Sequence, residues 1–115
     1  MLNSPLERLR KRSEFLAVSK TGERLVTPAF IIQVYYRASE GSFRYGITAS
    51  RKVGGAVERN RAKRRLRALL KELLPQVACP GADYVFIARK EILRRDFSLM
   101  KQELCHAVKI LHREK

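Results

Sequence analysis

The chain has 115 residues, of which 25 are Lys or Arg and 11 are Asp or Glu, giving a formal net charge of +14. This length predicts a single domain over residues 1–115 with one modest core, and a hydrophobic fraction of 45% favours folding over disorder. So large a positive excess repels itself unless a polyanion neutralises it, so nucleic acid is the expected partner. No apolar run is long enough to span a bilayer, and we expect a cytoplasmic protein with no membrane partner.

The chain begins with a short predicted helix. Residues 13–22 favour this helix, with Ser13 as its N-cap and Gly22 just past its end. Residues 25–27 then favour an extended segment. Pro28 is expected to interrupt it, because proline cannot donate a hydrogen bond to a sheet and restricts the residue before it.

Two strands are predicted next, at residues 29–37 and 43–50, both rich in β-branched and aromatic side chains. Turn-forming residues at 40–42 separate them, so we expect the two strands to pair as an antiparallel hairpin. Gly54 and Gly55 follow and permit a backbone path that other residues avoid.

The second half of the chain contains two predicted helices with a strand between them. Residues 57–74 form the clearest helix, which Pro75 is expected to end. Residues 83–88 form a short apolar strand, and Asp96 is placed to cap a last helix over 97–112. The order helix, three strands, helix, strand, helix predicts an α+β fold with one four-stranded sheet covered by helices.

Cysteine and histidine do not point to chemistry of their own. Cys79, Cys105, His106 and His112 lack the paired-ligand spacing of a zinc site, so no metal site is expected on the protein. A disulfide is not expected in a reducing compartment. The acidic residues are scattered, with no paired carboxylates beside a histidine, so no catalytic residue is predicted on the protein.

The helix predicted over 57–74 separates apolar from cationic side chains. On a helical wheel of about 100° per residue, one face carries Ala62, Leu66, Leu69, Leu70 and Leu73 and is expected to pack on the sheet. The opposite face carries Asn60, Lys63, Arg64, Arg67 and Lys71, with Arg61 and Arg65 beside it.

This cationic face has the chemistry of a phosphate-binding surface. Arginine offers a planar donor fork that matches phosphate oxygens, and the helix N-terminus near Arg59 adds partial positive charge. Asn60 suits either a base edge or 2′-hydroxyl, or a cap of the first turn. The alternative is a solvated basic face; against it, only Glu58 and Glu72 interrupt the positive run, and like charges at this spacing destabilise a helix without an anionic partner.

An ordered set of motifs resembles the bacterial ribonuclease P protein component. The central part reads Ser50-Arg-Lys-Val-Gly54, then Ala56-Val57, then Arg59-Asn-Arg61 followed by Lys63, Arg64, Arg65, Leu66 and Arg67. Arg8-Leu9, Glu14-Phe15, Phe30, residues 44–50 and residues 83–89 match the family in the same order. The similarity covers residues 6–106.

The resemblance implies a four-stranded sheet of order αβββαβα with a left-handed βαβ crossover, whereas ordinary crossovers are right-handed. It implies an accessory subunit that binds ribonuclease P RNA and precursor tRNA, promotes endonucleolytic removal of the 5′ leader, and leaves catalysis and most Mg²⁺ binding to RNA. No small-molecule substrate is expected. The implied RNA-binding residues are Arg51, Lys52, Arg59, Asn60, Arg61, Lys63, Arg64, Arg65, Arg67 and Lys71.

The resemblance also implies a cleft between the first helix and the open sheet face that holds the single-stranded leader. Its expected lining is Phe15, Ser19, Phe30, Gln33 and Tyr35, with Phe15 as a stacking surface for leader bases. Two positions depart from the family: Ser19 stands where a second aromatic is frequent, and Arg51 stands where a lysine is usual. Phe15 in the core is the alternative, and Tyr35, Tyr36 and Tyr45 suit either base stacking or packing.

Two other functions fit parts of the pattern. A ribosomal or assembly protein would share the charge and the fold class, and the ordered motifs from Ser50 to Arg67 argue against it. A DNA-binding domain would place the basic helix in a major groove, but no helix-turn-helix spacing and no dimerisation heptad is present.

Overall fold

The computed structural model describes residues 7–113, apart from the side chains of Thr21 and Arg113; the remaining termini of the predicted single domain lie outside it. Its strands are β1 (Glu7–Arg8), β2 (Glu23–Val26), β3 (Phe30–Tyr36), β4 (Arg44–Thr48) and β5 (Ala82–Ala88). Its helices are α1 (Arg12–Thr21), α2 (Ala56–Val77) and α3 (Phe97–Arg113), with one 3₁₀ turn at Lys90–Leu93.

The predicted α+β class is confirmed, but the sheet has five strands rather than four, in the order β1-β4-β5-β3-β2. The strand that sequence analysis missed is β1, which pairs parallel with β4 through Glu7 and Arg8. Both residues are charged and exposed, so they carry neither the alternation nor the β-branched content that identifies a strand.

Strand β5 occupies the centre of the sheet, and the predicted hairpin between β3 and β4 is wrong. β5 pairs antiparallel with β3, from Phe30 opposite Ala88 to Tyr36 opposite Ala82, and parallel with β4. Most of its residues are buried, which favours a position with neighbours on both edges. The parallel β4–β5 pair requires a long connection, and α2 supplies it.

Helix α1 begins one residue before the predicted N-cap. Lys11 is the N-cap and Ser13 lies inside the helix, because Glu14 Oε1 accepts the backbone N–H groups of Arg10 (2.7 Å) and Lys11 (3.0 Å). Gly22 follows the helix as predicted, with an extended φ of −79° and its N–H donated to the Val18 carbonyl.

Helix α2 continues past Pro75, contrary to prediction. Proline forfeits only its own N–H, and Ala78 N–H closes the last turn on the Leu74 carbonyl at 2.9 Å. At the other end, Gly54 has a φ of +146°, which turns the chain into the helix, and Glu58 accepts the Gly55 N–H at 3.0 Å.

Alternation along the strands divides the sheet into two faces. The face covered by α2 and α3, here the helical face, holds the main core, with fully buried side chains that include Phe30, Phe86, Leu66, Leu70 and Met100. The other, here the α1 face, holds a smaller cluster in which Leu9, Val18 and Val85 are buried against Phe15, Tyr35 and Ile87.

The last helix packs as its sequence predicts. Asp96 Oδ2 accepts the Leu99 N–H at 3.2 Å and so caps the first turn of α3. Near its other end, His112 lies between the Tyr84 hydroxyl (2.9 Å to Nε2) and Cys79 Sγ (3.2 Å to Nδ1). These contacts attach the end of α3 to β5 and to the loop that precedes it.

Candidate nucleic-acid interface

The outward side of α2 is a row of cations. Its inward side is completely buried at Ala62, Leu66, Leu69, Leu70 and Leu74, so the orientation expected from the wheel is confirmed, with Leu73 only half-buried. The side chains left exposed are Asn60, Arg61, Arg64, Arg67 and Lys71, and Arg59, Lys63 and Arg65 are half-buried.

The loop before α2 places two more cations beside its first turn. The Val53 N–H donates to the Ser50 carbonyl (3.0 Å) and the Gly54 N–H to the Arg51 carbonyl (3.1 Å), which makes a tight turn with exposed Arg51 and Lys52 at its tip. Arg59 reaches back to the Gly54 carbonyl at 3.1 Å and stabilises this turn. We call these side chains together the basic surface. Its members are Arg51, Lys52, Arg59, Asn60, Arg61, Lys63, Arg64, Arg65, Arg67 and Lys71.

Arg65 differs from the other arginines of the helix, because it bonds within the protein. Its guanidinium donates to the Ile92 carbonyl and, at 2.8 Å, to the Arg95 carbonyl. Arg95 is in turn held by Glu103, which raises the pKa of Arg95. Arg65 therefore joins α2 to the segment that precedes α3, which makes it the weakest candidate for RNA contact on the basic surface.

The α1 face is only partly covered by its helix. Beneath α1, Gln33 and Val85 are buried, whereas Ile31 and Ile87 farther along the same strands are half-buried and Val26 at the sheet edge is 55% exposed. This leaves an open apolar strip beside the helix. We call this strip, together with the α1 side chains next to it, the cleft.

The structure brings several predicted cleft residues together. Phe15 of α1 and Tyr35 of β3 belong to the same cluster on the α1 face, and both are half-buried. Gln33 lies on the same side of β3 as Tyr35, and Ser19 is exposed on α1. Two half-buried aromatic rings thus lie on this side of the sheet, together with the buried Gln33 amide.

The prediction that Phe30 lines the cleft is wrong. Phe30 points to the helical face, is completely buried, and packs edge-on against Phe86 with ring centroids 5.9 Å apart. Side chains alternate along a strand, so Phe30 cannot share a face with Gln33 and Tyr35. Tyr36 and Tyr45 also pack against the helical-face core, which leaves Tyr35 as the strand tyrosine on the cleft side.

A network of charged side chains at one end of the α1 face was not predicted. Arg44 binds both oxygens of Asp83 (Nε–Oδ1 2.9 Å, NH2–Oδ2 2.7 Å) and uses its remaining nitrogen for Glu14 Oε2 at 2.9 Å. Arg37 adds a contact to Asp83 Oδ1 at 3.1 Å. The Asp83 side chain is only 3% exposed, so its hydrogen bonds to these two arginines compensate the cost of burying a polar group.

Two groups of the network, Glu14 and Arg44, have pKa values shifted in favour of their ionised forms. The backbone N–H groups of Lys11 and Arg10, and after them the Arg44 guanidinium, lower the pKa of Glu14 below its ordinary 4.5 despite partial burial. The Asp83 carboxylate raises the pKa of Arg44, with a smaller contribution from Glu14. A carboxyl with a depressed folded-state pKa contributes stability above its ordinary pKa, and this is lost as the pH falls through the folded-state value.

Gly46 lies directly beneath the Phe15 ring of α1. A Cβ atom at this position would lie 2.5 Å from Phe15 Cζ and 3.3 Å from Leu9 Cδ1. We therefore expect Gly46→Ala to lower the free energy of unfolding by about 1–3 kcal/mol, because the ring must move out of a packed site. Urea denaturation measures this loss.

The matched comparison for this prediction is the same substitution in a Phe15→Ala background. Removing the ring creates space for the new methyl group, so Gly46→Ala should cost much less there. An equal cost in both backgrounds would mean that the ring does not occupy the position seen over Gly46.

Among the residues that the structure describes, no group of three or more His, Cys, Asp or Glu side chains is placed to hold a metal ion. Three carboxylates already have partners within the protein: Asp83 and Glu14 bind arginine side chains, and Glu58 accepts a backbone N–H. No helix within the described chain is both long and apolar enough to cross a membrane.

A basic surface on a long helix, next to a half-open sheet face with aromatic rings, defines an α+β protein of the RNA-binding class. A family model described as Ribonuclease P matches residues 4–112, and the chain belongs to this family, as its sequence motifs predict. It is therefore a protein subunit of ribonuclease P, the accessory subunit of a ribonucleoprotein endoribonuclease, with a role in tRNA 5′ maturation and the ribonuclease P RNA as its implied partner.

Individual relatives are similar to this chain over most of their length. The chain is 43% identical over 101 residues to the ribonuclease P protein component of Erythrobacter litoralis, covering 88% of this chain and 82% of that one. It resembles the solved RNase P protein of Staphylococcus aureus with a TM-score of 0.73 at 28% identity, covering 90% and 93% of the two chains. For the Thermotoga maritima protein the TM-score is 0.72 at 33% identity, with coverage of 93% and 96%.

Proposed function

We propose that this subunit binds ribonuclease P RNA through the basic surface and the single-stranded 5′ leader of precursor tRNA in the cleft. The observation that carries the proposal is the separation of two kinds of surface. One is a row of exposed cations along α2, suited to a phosphate backbone. The other is an apolar strip with half-buried Phe15 and Tyr35, suited to unpaired bases.

The two surfaces adjoin, so a leader bound in the cleft would lie next to the ribonuclease P RNA bound on the basic surface. Strand β4 carries Thr48 on the α1 face, continues into the turn that presents Arg51 and Lys52, and leads directly into α2. A nucleic acid strand that leaves the cleft at this end meets the start of the basic surface. Because stacking accepts any base, such a cleft serves precursors with different leader sequences.

In this proposal the protein positions RNA and supplies no reacting group. Hydrolysis of the phosphodiester by water leaves a 5′ phosphate on the tRNA, and Mg²⁺ supports this step from sites made mainly by the RNA and the substrate. Asp83 and Glu14 are engaged with arginines and Glu58 with a backbone N–H, and no cluster of three or more His, Cys, Asp or Glu side chains suited to a hard cation occurs among the described residues. The protein's contribution is to neutralise phosphate repulsion, so that less Mg²⁺ is needed.

We propose that residues 1–115 act as one domain in the cytoplasm, and that the β4–α2–β5 connection is the left-handed crossover that the family resemblance implies. The ten predicted RNA-binding residues stay within the proposal, with Arg65 as its weakest member because of its bonds to the Ile92 and Arg95 carbonyls.

The test is reconstitution of cleavage. The full chain is mixed with a bacterial ribonuclease P RNA and a 5′-labelled precursor tRNA at a low Mg²⁺ concentration that leaves the RNA alone nearly inactive. We expect the protein to restore cleavage at the mature 5′ end, and to favour precursors with a leader of several nucleotides over those with one.

Two variants separate the two surfaces in this assay. Phe15→Ala should remove the preference for the longer leader and leave RNA binding unchanged, because it alters only the cleft. Arg64→Ala should weaken binding of the RNA for both leader lengths, because it alters only the basic surface. RNA binding without restored cleavage across several such RNAs would reduce the protein to a general RNA-binding protein.

A further inference from the structure

The charged network described above lies beside the aromatic ring that the proposed leader site uses. Glu14 and Phe15 are consecutive in α1, and Arg44 and Gly46 are consecutive on the α1 face of β4. Glu14 contacts Arg44 at 2.9 Å, and the Phe15 ring packs directly over Gly46. The helix is thus attached to the strand at two adjacent points, one ionic and one apolar.

From this geometry we propose that Arg44 and Glu14 are positioning residues for the leader: they set the place of α1 on the sheet and so the place of the Phe15 ring in the cleft. The inference rests on the proposed function of the cleft. Neither residue needs to touch RNA for this role.

The orientation of Arg44 is set by contacts within the sheet and does not depend on α1. Asp83 is its neighbour across the parallel β4–β5 pair, and the two groups are joined by two parallel hydrogen bonds. The third nitrogen of the guanidinium then points at Glu14. Because a guanidinium is planar and rigid, fixing two nitrogens on Asp83 also fixes where the Glu14 carboxylate must lie.

Glu14 transmits this position to the helix backbone. Its other oxygen accepts the N–H groups of Arg10 and Lys11, which are the residues that lead into the first turn of α1. Arg44 is thereby connected, through one carboxylate, to the start of the helix and to the residue next to Phe15.

Charge balance argues against a direct contact of the network with phosphate. Arg37 and Arg44 carry two positive charges, and Asp83 and Glu14 carry two negative charges within 3.1 Å of them. The Arg44 guanidinium already uses its Nε and both terminal nitrogens in these contacts. Unlike the arginines of the basic surface, Arg44 serves the arrangement of the cleft.

The test substitutes Glu14→Gln in the reconstituted holoenzyme. Glutamine keeps an oxygen for the Arg10 and Lys11 N–H groups but replaces the carboxylate that faces Arg44. We expect KM to rise about fivefold for a precursor with a leader of several nucleotides, with kcat little changed, and KM to stay unchanged for a leader of one nucleotide. Because the substitution makes the protein more positive, a nonspecific charge effect would strengthen RNA binding and so lower KM.

Glu40→Gln is the matched control, since it removes the same charge from an exposed turn away from α1. The deciding comparison is a cycle with Phe15→Ala. If Glu14 acts through the ring, adding Glu14→Gln to Phe15→Ala causes no further rise in KM. A helix that is merely less stable would lower the melting temperature and weaken both leader lengths.

The outcomes separate this inference from the proposal on which it rests. If Phe15→Ala raises KM for the long leader and Glu14→Gln does not, the leader uses the ring and the positioning role is overturned. If Glu14→Gln affects both leader lengths equally, or adds fully to Phe15→Ala, the positioning role is also overturned. If Phe15→Ala has no effect, the leader site itself is wrong and the inference fails with it.

Discussion

Replacing Arg61, Arg64 and Arg67 together with alanine is expected to weaken binding of ribonuclease P RNA about 100-fold at 0.15 M salt, because three phosphate contacts and their released counterions are lost. All three side chains are exposed on α2, so the fold should be unaffected. The slope of log affinity against log salt should become shallower by roughly one unit for each lost contact. Filter binding or fluorescence anisotropy across a salt series measures both quantities.

The control for this prediction removes the same charge elsewhere. Arg94, Lys101 and Lys109 lie outside the basic surface, and the first two form ion pairs with Glu91 and Glu72. Their combined replacement with alanine should change the affinity by only a few-fold. If both triple variants lose affinity equally, net charge and not the arrangement on α2 determines binding.

Asp83→Ala is expected to lower the free energy of unfolding by about 3 kcal/mol, because it leaves two arginines at a mostly buried position without their carboxylate. For a domain of this size the melting temperature should fall by roughly 15 °C. Thermal unfolding followed by circular dichroism measures the change. Asp83→Asn keeps the shape and an acceptor oxygen, so it should cost less, and the difference between the two variants reports the charge.

Glu91→Ala provides the comparison at a less buried carboxylate, since the Glu91 side chain is 32% exposed. Glu91 pairs with Arg94, whose side chain is 83% exposed, and more distantly with Arg95 at 3.8 Å, and pairs of this kind contribute about 0–1 kcal/mol. A loss at Asp83 no larger than that at Glu91 would show that water replaces the buried carboxylate without penalty.

The elements of the fold were predictable because their evidence is local. The strand at Phe30–Tyr36, the buried strand at Ala82–Ala88 and the apolar side of α2 all follow from periodicity within a few turns or pleats. The pairing of strands was not, since β5 separates β3 from β4 although β3 and β4 are close in sequence. The turn between β3 and β4 shows only that they are close in the chain. The buried strand β5 pairs with both of them and so separates them in the sheet.

The basic surface could be predicted from the sequence, whereas the cleft could be predicted only in part. The basic surface lies on one helix, and a wheel is enough to assemble it. The cleft draws on α1, β3 and β5, and Phe30 was misplaced although strict alternation with Gln33 and Tyr35 puts it on the opposite face. The contacts of Arg44 with Asp83 and Glu14 depend on strand register and helix docking, which no local pattern reveals.

The central position of β5 has a consequence for synthesis on the ribosome. The strands made first, β1 to β4, form only the β1–β4 and β2–β3 pairs among themselves, and these two pairs are joined only when β5 is inserted between β3 and β4. The sheet can therefore close only after α2 and β5 have left the exit tunnel. Until then the nascent chain presents apolar strands together with a strongly cationic helix, so its folding is late, governed by contacts distant in sequence, and sensitive to any polyanion nearby.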